Sequence, residues 1–230
     1  GTQLINGRGE ILKFGGQVMK NVAGFDVSRL MVGSRGTLGV LLEASLKVLP
    51  RPALEITLAF ELSASEAITT MNRWAGQPLP LSAAAHSGDT LHVRLSGSES
   101  GVRAAQRKLG GELQSQGAVF WEELREHRRG FFQDAAPLWR LSLPAATAPL
   151  AIGGKWLIDW GGAQRWLRTS ATAIDVQRAA ATAGGHAKLF RNAEQPKAVR
   201  PSTAVAAHLT SELRRAFDPS AIFNPTPNLP

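Results

Sequence analysis

Apolar and polar residues alternate in two stretches of the first quarter of the chain. Between Leu38 and Leu49, Val40, Leu42, Ala44, Leu46 and Val48 fall on one side, with Glu43, Ser45 and Lys47 on the other. That period of two predicts a half-buried strand. Pro50 and Pro52 end it, because proline has no N–H to give a sheet ladder. Leu54, Ile56, Leu58, Phe60 and Leu62 predict a second strand. Ser63 to Glu66 then has the S-x-x-E spacing of a capping box, and Ile68, Met71 and Ala75 supply the helical stripe behind it. The order returns further on. Leu91, Val93 and Leu95 alternate with His92 and Arg94, Ser96 to Glu99 repeats the capping-box spacing, and Val102, Ala105 and Leu109 recur at helical intervals. Strand and capped helix, used twice, is the order of a ferredoxin-like α+β sheet with its helices on one face.

The pattern continues with a helix near Trp121 to Arg129, strands near Leu138–Leu143 and Lys155–Asp159, and a helix from Ala171 to Ala183 that Gly184-Gly185 stops. In the tail, Val205, Leu209, Leu213 and Phe217 recur every four residues, so an amphipathic helix is expected from Ser202 to Ala216 with its apolar stripe buried. Arg214 and Arg215 suit the negative end of its dipole, and Asp218-Pro219 ends it because the residue before proline avoids the α region. Ile222 and Phe223 make the following stretch to Pro225 too apolar for a solvated terminus, which predicts that it is docked. Three parts follow: residues 1–52, Gly-rich and poor in helix; 53–195, the sheet with its helices; and 196–230, the helix and tail.

Composition narrows the class. With 43% hydrophobic and 19% charged residues in 230, the chain has the make-up of a packed globular protein. No apolar run approaches the ~20 residues that a bilayer-spanning helix needs, and no charged-then-apolar leader is present. At most a peripheral association with a membrane is expected. The chain begins with Gly1, inside what reads as a strand and turn, so an upstream portion is expected. With no Cys, disulfides, thiolate nucleophiles and iron–sulfur ligation by this chain are excluded, and a cytoplasmic location is allowed. The net charge of +8 raises nucleic acid as a partner. Against that, Arg107-Lys108, Arg128-Arg129 and Arg214-Arg215 are the only adjacent basic pairs, Tyr is absent and the Trp residues do not interleave with basic ones in a binding-stripe pattern. A basic face meeting an acidic subunit is the simpler reading.

The densest chemical signal is Gly33-Ser-Arg-Gly-Thr-Leu-Gly39. Glycines at this density let backbone N–H groups approach a phosphate closely. The spacing is G-x-x-G-x-x-G and it leads into a strand, which argues against a Rossmann nicotinamide site; no P-loop sequence is present. A tight turn without a ligand would account for these glycines equally well. The five histidines, His86, His92, His127, His186 and His208, form neither H-x-H nor H-E-x-x-H, so no metal site is expected.

Context adds to the loop. Gly15 to Asp26 (GGQVMKNVAGFD), Leu30 to Ser34, Gly36 to Val40, Lys47 to Pro52, Leu157 to Gly162, Gly184 to His186, and Phe217 to Pro225 together resemble the flavoproteins of the vanillyl-alcohol-oxidase type, of the glycolate oxidase kind. The resemblance implies the C-terminal half of a bipartite FAD-binding domain followed by a ferredoxin-like antiparallel-sheet cap, with the tail returning to the first part. It implies FAD along Gly33, Ser34, Gly36, Thr37, Gly39 and Val40, with Gly24 and Asp26 shaping the preceding turn, Lys20 nearby, and Asn224-Pro225 coming back to the flavin. An N-cap on the short turn containing Ser28 and Leu30 is the plainer role for Asp26, as a solvated cation is for Lys20. Arg35 and Thr226 depart from the family pattern, and the phosphate loop of its first FAD subdomain is absent.

The implied function is that of a FAD-binding subunit in a complex oxidising glycolate or a similar 2-hydroxy acid. A catalytic flavin subunit would take the hydride and an iron–sulfur subunit would pass electrons on. The family's metal- and substrate-binding segment after Gly184-Gly185 supplies only His186 here and no acid, so no catalytic residue is assigned. His86-Ser-Gly-Asp-Thr-Leu-His92 has the look of the family's His-x-Gly-Asp signature but falls in the first half of the cap, so both histidines read as strand residues. Two alternatives stay open: a self-sufficient 2-hydroxy-acid dehydrogenase using His186 and Arg191, and a scaffold that has lost its flavin.

Overall fold

The prolines at 50 and 52 stand where the chain passes from one compact unit to another. In the computed structural model, which describes residues 1–15, 26–191 and 204–224, residues 1–50 and 199–230 form the first unit and residues 51–198 the second. In the first, strands β1 (Thr2–Ile5) and β2 (Ile11–Phe14) make an antiparallel hairpin, α1 (Val27–Leu30) is a single turn, and β3 (Val40–Ala44) pairs with the other edge of β1. Asn6 closes the hairpin: its Oδ1 accepts the N–H groups of Arg8 at 2.9 Å and Glu10 at 3.0 Å. The strand expected over residues 38–49 is shorter and differently placed than its alternation suggests. β3 covers only Val40–Ala44 and is exposed at every residue, and Leu46 and Leu49 beyond it are 84% and 85% exposed. The unit's buried core is small, Leu4, Met31 and Leu38, and no described layer lies over the outer face of β3.

The second unit holds β4 (Leu54–Glu61), α2 (Ala64–Ala75), β5 (Leu81–Ser87), β6 (Thr90–Gly97), α3 (Glu99–Leu109), β7 (Glu112–Leu113), α4 (Gly117–Arg125) and α5 (Gly130–Gln133), then β8 (Leu138–Ser142), β9 (Lys155–Asp159), β10 (Gln164–Arg168), α6 (Ala173–Thr182) and β11 (His186–Arg191). Its strands form one antiparallel sheet in the order β11-β8-β10-β9-β5-β6-β4-β7. An α+β fold is therefore present. Period-two alternation divides the core between the two faces. Leu58, Val93 and Ile158 pack under α2 and α3, and Leu141, Leu167 and Ala187 pack under α6 on the same side. Leu157 and Trp166, one residue out of step, face α4 and α5 with Trp121, Leu124 and Phe132. Both faces are thus covered, where the sequence pattern suggested helices on one. The Trp121 indole fixes α4 by donating to Thr57 Oγ1 at 2.9 Å.

The first capping box forms as spaced: Ser63 Oγ accepts from Glu66 N, and Glu66 Oε2 accepts from Ser63 N at 2.9 Å. The second does not. β6 keeps its ladder with β4 as far as Gly97, opposite Leu54, so Ser96 remains in the strand and Ser98 caps α3, accepting from Gly101 N at 3.3 Å. The helix expected at Trp121–Arg129 starts a turn earlier and stops at Arg125, beyond which His127 adopts a left-handed φ of 56°. Among the described residues no helix is long and apolar enough to cross a membrane.

The tail helix α7 (Ala204–Phe217) completes the first unit. Its stripe is not buried as expected: Val205 and Leu209 are 70% and 56% exposed, and only the Phe217 end packs, beside Phe14 with ring centroids 6.4 Å apart. The docking of the tail is likewise polar rather than apolar. Ile222 is exposed, and the buried Asp218 carboxylate accepts the N–H groups of Ile222 at 3.1 Å and Phe223 at 2.9 Å.

Candidate functional site

The glycine-rich loop joins α1 to β3 within the first unit. Asp26 starts the local structure as the N-cap of α1, its Oδ1 accepting from Arg29 N at 3.1 Å and its Oδ2 pairing with Arg29 Nε at 3.0 Å. That is the structural role weighed for it, and Ser28 Oγ adds a bond to Phe14 O at 3.2 Å that ties α1 to β2. After α1 the chain turns repeatedly: Ser34 N donates to Met31 O, and Thr37 binds Ser34 O through both its N–H at 3.0 Å and its hydroxyl at 2.6 Å.

Two of the three glycines stand differently from the third. Gly33 and Gly36 have left-handed φ values of 85° and 70° and are exposed, as is Arg35 between them at φ 53°. A side chain at Gly33 would meet nothing within 4 Å, and no described residue accepts the N–H groups of Gly33, Arg35 or Gly36. This is an open arc of free backbone donors, which suits an anionic oxygen. Gly39 instead lies against β1, where a Cβ would come within 2.6 Å of Ile5 O. Its lack of a side chain is explained by strand packing, and it is buried. Val40 opens β3 with its side chain half-exposed.

The tail reaches this loop. Asn224 Nδ2 donates to Arg35 O at 3.0 Å, and a Cβ on Gly36 would sit 3.0 Å from the same nitrogen. The structure thus brings together Gly33, Ser34, Gly36, Thr37 and Asn224, with Gly39 and Val40 at the edge. Gly24 and Lys20 lie outside the described residues, as does Pro225. The positioning residues that sequence reasoning missed are Asn6 and Asp218. Asn6-Gly7 is a hairpin dipeptide that could have been read as such. The sequence marks Asp218 only as a helix stop, whereas Gly7 N donating to Phe217 O at 2.7 Å brings the helix end against the β1–β2 turn.

The histidines of the second unit have structural partners. His86 is buried with Nε2 2.8 Å from Leu62 O, His92 stacks on Phe120 with centroids 4.0 Å apart, and His127 stacks on Phe132 at 4.1 Å. Burial, then the nearby charges of Arg129 and His86, push the His92 imidazole down to about 4. No group of three or more His, Cys, Asp or Glu placed for a metal occurs among the described residues.

No family model matches the chain. Among individual proteins its relatives are oxidoreductases acting on 2-hydroxy acids: glycolate oxidase subunit GlcD of Bacillus subtilis (strain 168) is 45% identical over 58 residues, 25% of this chain and 12% of that one. D-lactate dehydrogenase of Anaerostipes hadrus is 48% identical over 50 residues, 22% of this chain and 10% of that one. Glycolate oxidase subunit GlcE of Escherichia coli (strain K12) is 45% identical over 225 residues, 98% of this chain. The resemblance to a glycolate oxidase subunit that the motifs carry therefore runs over almost the whole chain, which spans 63% of the length of GlcE.

Proposed function

We propose that the chain is part of a FAD-binding subunit of a glycolate, or similar 2-hydroxy-acid, oxidase or dehydrogenase complex, and not of the subunit that oxidises the substrate. The observation that carries this is the 45% identity over 98% of the chain to a glycolate oxidase subunit. The arc at Gly33, Arg35 and Gly36, with Asn224 against it, supports the FAD assignment because free N–H groups on left-handed backbone fit a pyrophosphate. Ser34 and Thr37 would shape the arc, Val40 and Gly39 would border it, and Gly24 and Asp26 would shape the turn before it. FAD supplies the redox chemistry when bound, while this chain holds and orients it.

The first unit is, on this reading, the C-terminal half of a bipartite FAD-binding domain over residues 1–52, to which the tail at 196–230 returns. Residues 53–195 are the cap. Its two halves, β7-β4-β6-β5 and β11-β8-β10-β9, each place their strands in the order fourth, first, third, second, which supports two ferredoxin-like modules side by side. Partners are a catalytic flavin subunit and an iron–sulfur subunit, in the cytoplasm and at most peripheral to the membrane.

The test is Gly36→Val in the complete subunit, purified apart from its partner subunits. A β-branched side chain at φ 70° and close to Asn224 Nδ2 closes the arc, so FAD content should fall roughly tenfold or more while the cap melts as before. A folded variant with its full flavin removes the loop from the site. A parent subunit that is itself colourless when freed of its partners favours the scaffold.

A further inference from the structure

The sheet of the second unit is split. β5 pairs with β9 only through Ala85–Ser87, opposite Asp159–Leu157, while Leu81–Ala84 keep β6 alone as a strand neighbour. The two strands part because the chain leaves β9 in a tight turn at Trp160–Gly162, with left-handed φ at Trp160 (51°) and Gly161 (65°). Asn72 on α2 pins that turn, its Nδ2 donating to Gly161 O and Ala145 O, each at 3.3 Å. The split opens a cleft of about 1020 Å³ lined by Trp74, Trp121, Trp160 and Trp166.

The charges in the cleft are not evenly matched. Arg94 has Glu55 at 3.7 Å and lies over the Trp121 ring, Arg125 pairs with Glu126 at 2.7 Å, and Glu122 pairs with Arg128 at 2.7 Å. Asp159 has only neutral donors, Trp160 N at 2.8 Å and Gln164 Nε2 at 3.4 Å, and no ion pair among the described residues. Burial raises its carboxyl above the ordinary range, against the lowering from those two donors. A partly buried carboxylate without a counter-ion, in a cleft lined by indole rings, is suited to a positive N–H group on a flat apolar body.

We propose that this cleft is a binding site for a small aromatic cation of the aryl-amine or aryl-amidine class, its charged N–H group donating to Asp159 and its ring lying among the tryptophans. The site is independent of the flavin arc, being built entirely from the second unit.

Calorimetric titration of the full chain with benzamidine, neutral benzamide and anionic benzoate tests it. Benzamidine should bind saturably in the millimolar range or better, with benzamide at least about tenfold weaker and benzoate without measurable binding. Asp159→Asn should weaken benzamidine at least about tenfold, while its side-chain oxygen still accepts Trp160 N–H and preserves the melt. Benzoate binding as well as benzamidine, benzamide matching benzamidine, an Asp159→Asn protein binding as the parent does, or no saturable benzamidine binding would each overturn the proposal. Because the three-ligand comparison uses the unaltered chain, it stands even if the variant fails to fold.

Discussion

His92 lies on β6 against Phe120, and its imidazole is pushed from the ordinary 6.5 down to about 4, by burial first and then by Arg129 and His86. An unfolded chain takes up a proton here as pH falls through 6.5, whereas the folded chain resists until about 4. Between those values the unfolded state binds more protons, so stability present above pH 6.5 is lost as pH falls towards 4. His92→Phe keeps a ring on Phe120 and removes the titration, so the urea midpoint of the variant should fall less steeply across that window. Identical pH slopes for parent and variant would mean that His92 is solvated and titrates normally. Residues of this kind show what sequence conveys least. The alternation of His92 with Leu91 and Val93 places it on the other face of β6, but only α4 crossing that face makes the position dry. Asp26 shows the reverse, since an aspartate just before a short helical turn is legible as an N-cap and forms one.

At the scale of elements, the apolar periodicity located β4, α2, α3, α6 and α7 well, because each buries or carries a stripe that its period reveals. It failed where polar residues are buried. β10, Gln164–Arg168, was not among the strands the pattern predicts, since three of its five residues are Gln or Arg, yet every residue in it is buried. Arg165 donates to the carbonyls of Gly162, Ala148 and Thr147, and Arg168 to those of Phe131, Ala136 and Phe132. Backbone acceptors from neighbouring loops satisfy two guanidiniums that polarity alone would place in water. The start of α3 offers a clean contrast between pattern and ladder. Ser98, not Ser96, carries the cap, so Ser98→Ala should lower stability by about 1 kcal/mol. Ser96→Ala, with no cap to lose, should stay within about 0.5 kcal/mol of the parent. Equal losses in chemical denaturation would show that both serines cap the helix.

Across the whole molecule, the two units differ in how completely they cover their own apolar residues. In the second, two layers of helix enclose both faces of the sheet. In the first, Leu46, Val48 and Leu49 are at least 80% exposed, with Val205 and Leu209 also largely exposed on α7. The sequence marks Leu46, Val48, Val205 and Leu209 as apolar and in register, which is why they read as buried; a period in sequence does not carry the layer that covers it. The glycine arc was legible through glycine spacing and family resemblance, whereas the split-sheet cleft was not, since its tryptophans come from four separated elements. Apolar residues left uncovered in this way favour association with whatever apolar surface is available, including another copy of the chain. Leu46→Lys with Leu49→Glu should therefore lower the apparent mass of the isolated chain in light scattering at high concentration. The melting temperature should hardly change, because substitutions at exposed positions usually cost no more than about 0.5 kcal/mol each. Were these leucines packed in the folded chain, the same pair would remove two core side chains at a cost of about 2–5 kcal/mol each, and the unit would unfold. Loss of cooperative melting, or self-association equal to that of the parent, would therefore refute the exposed placement of these leucines.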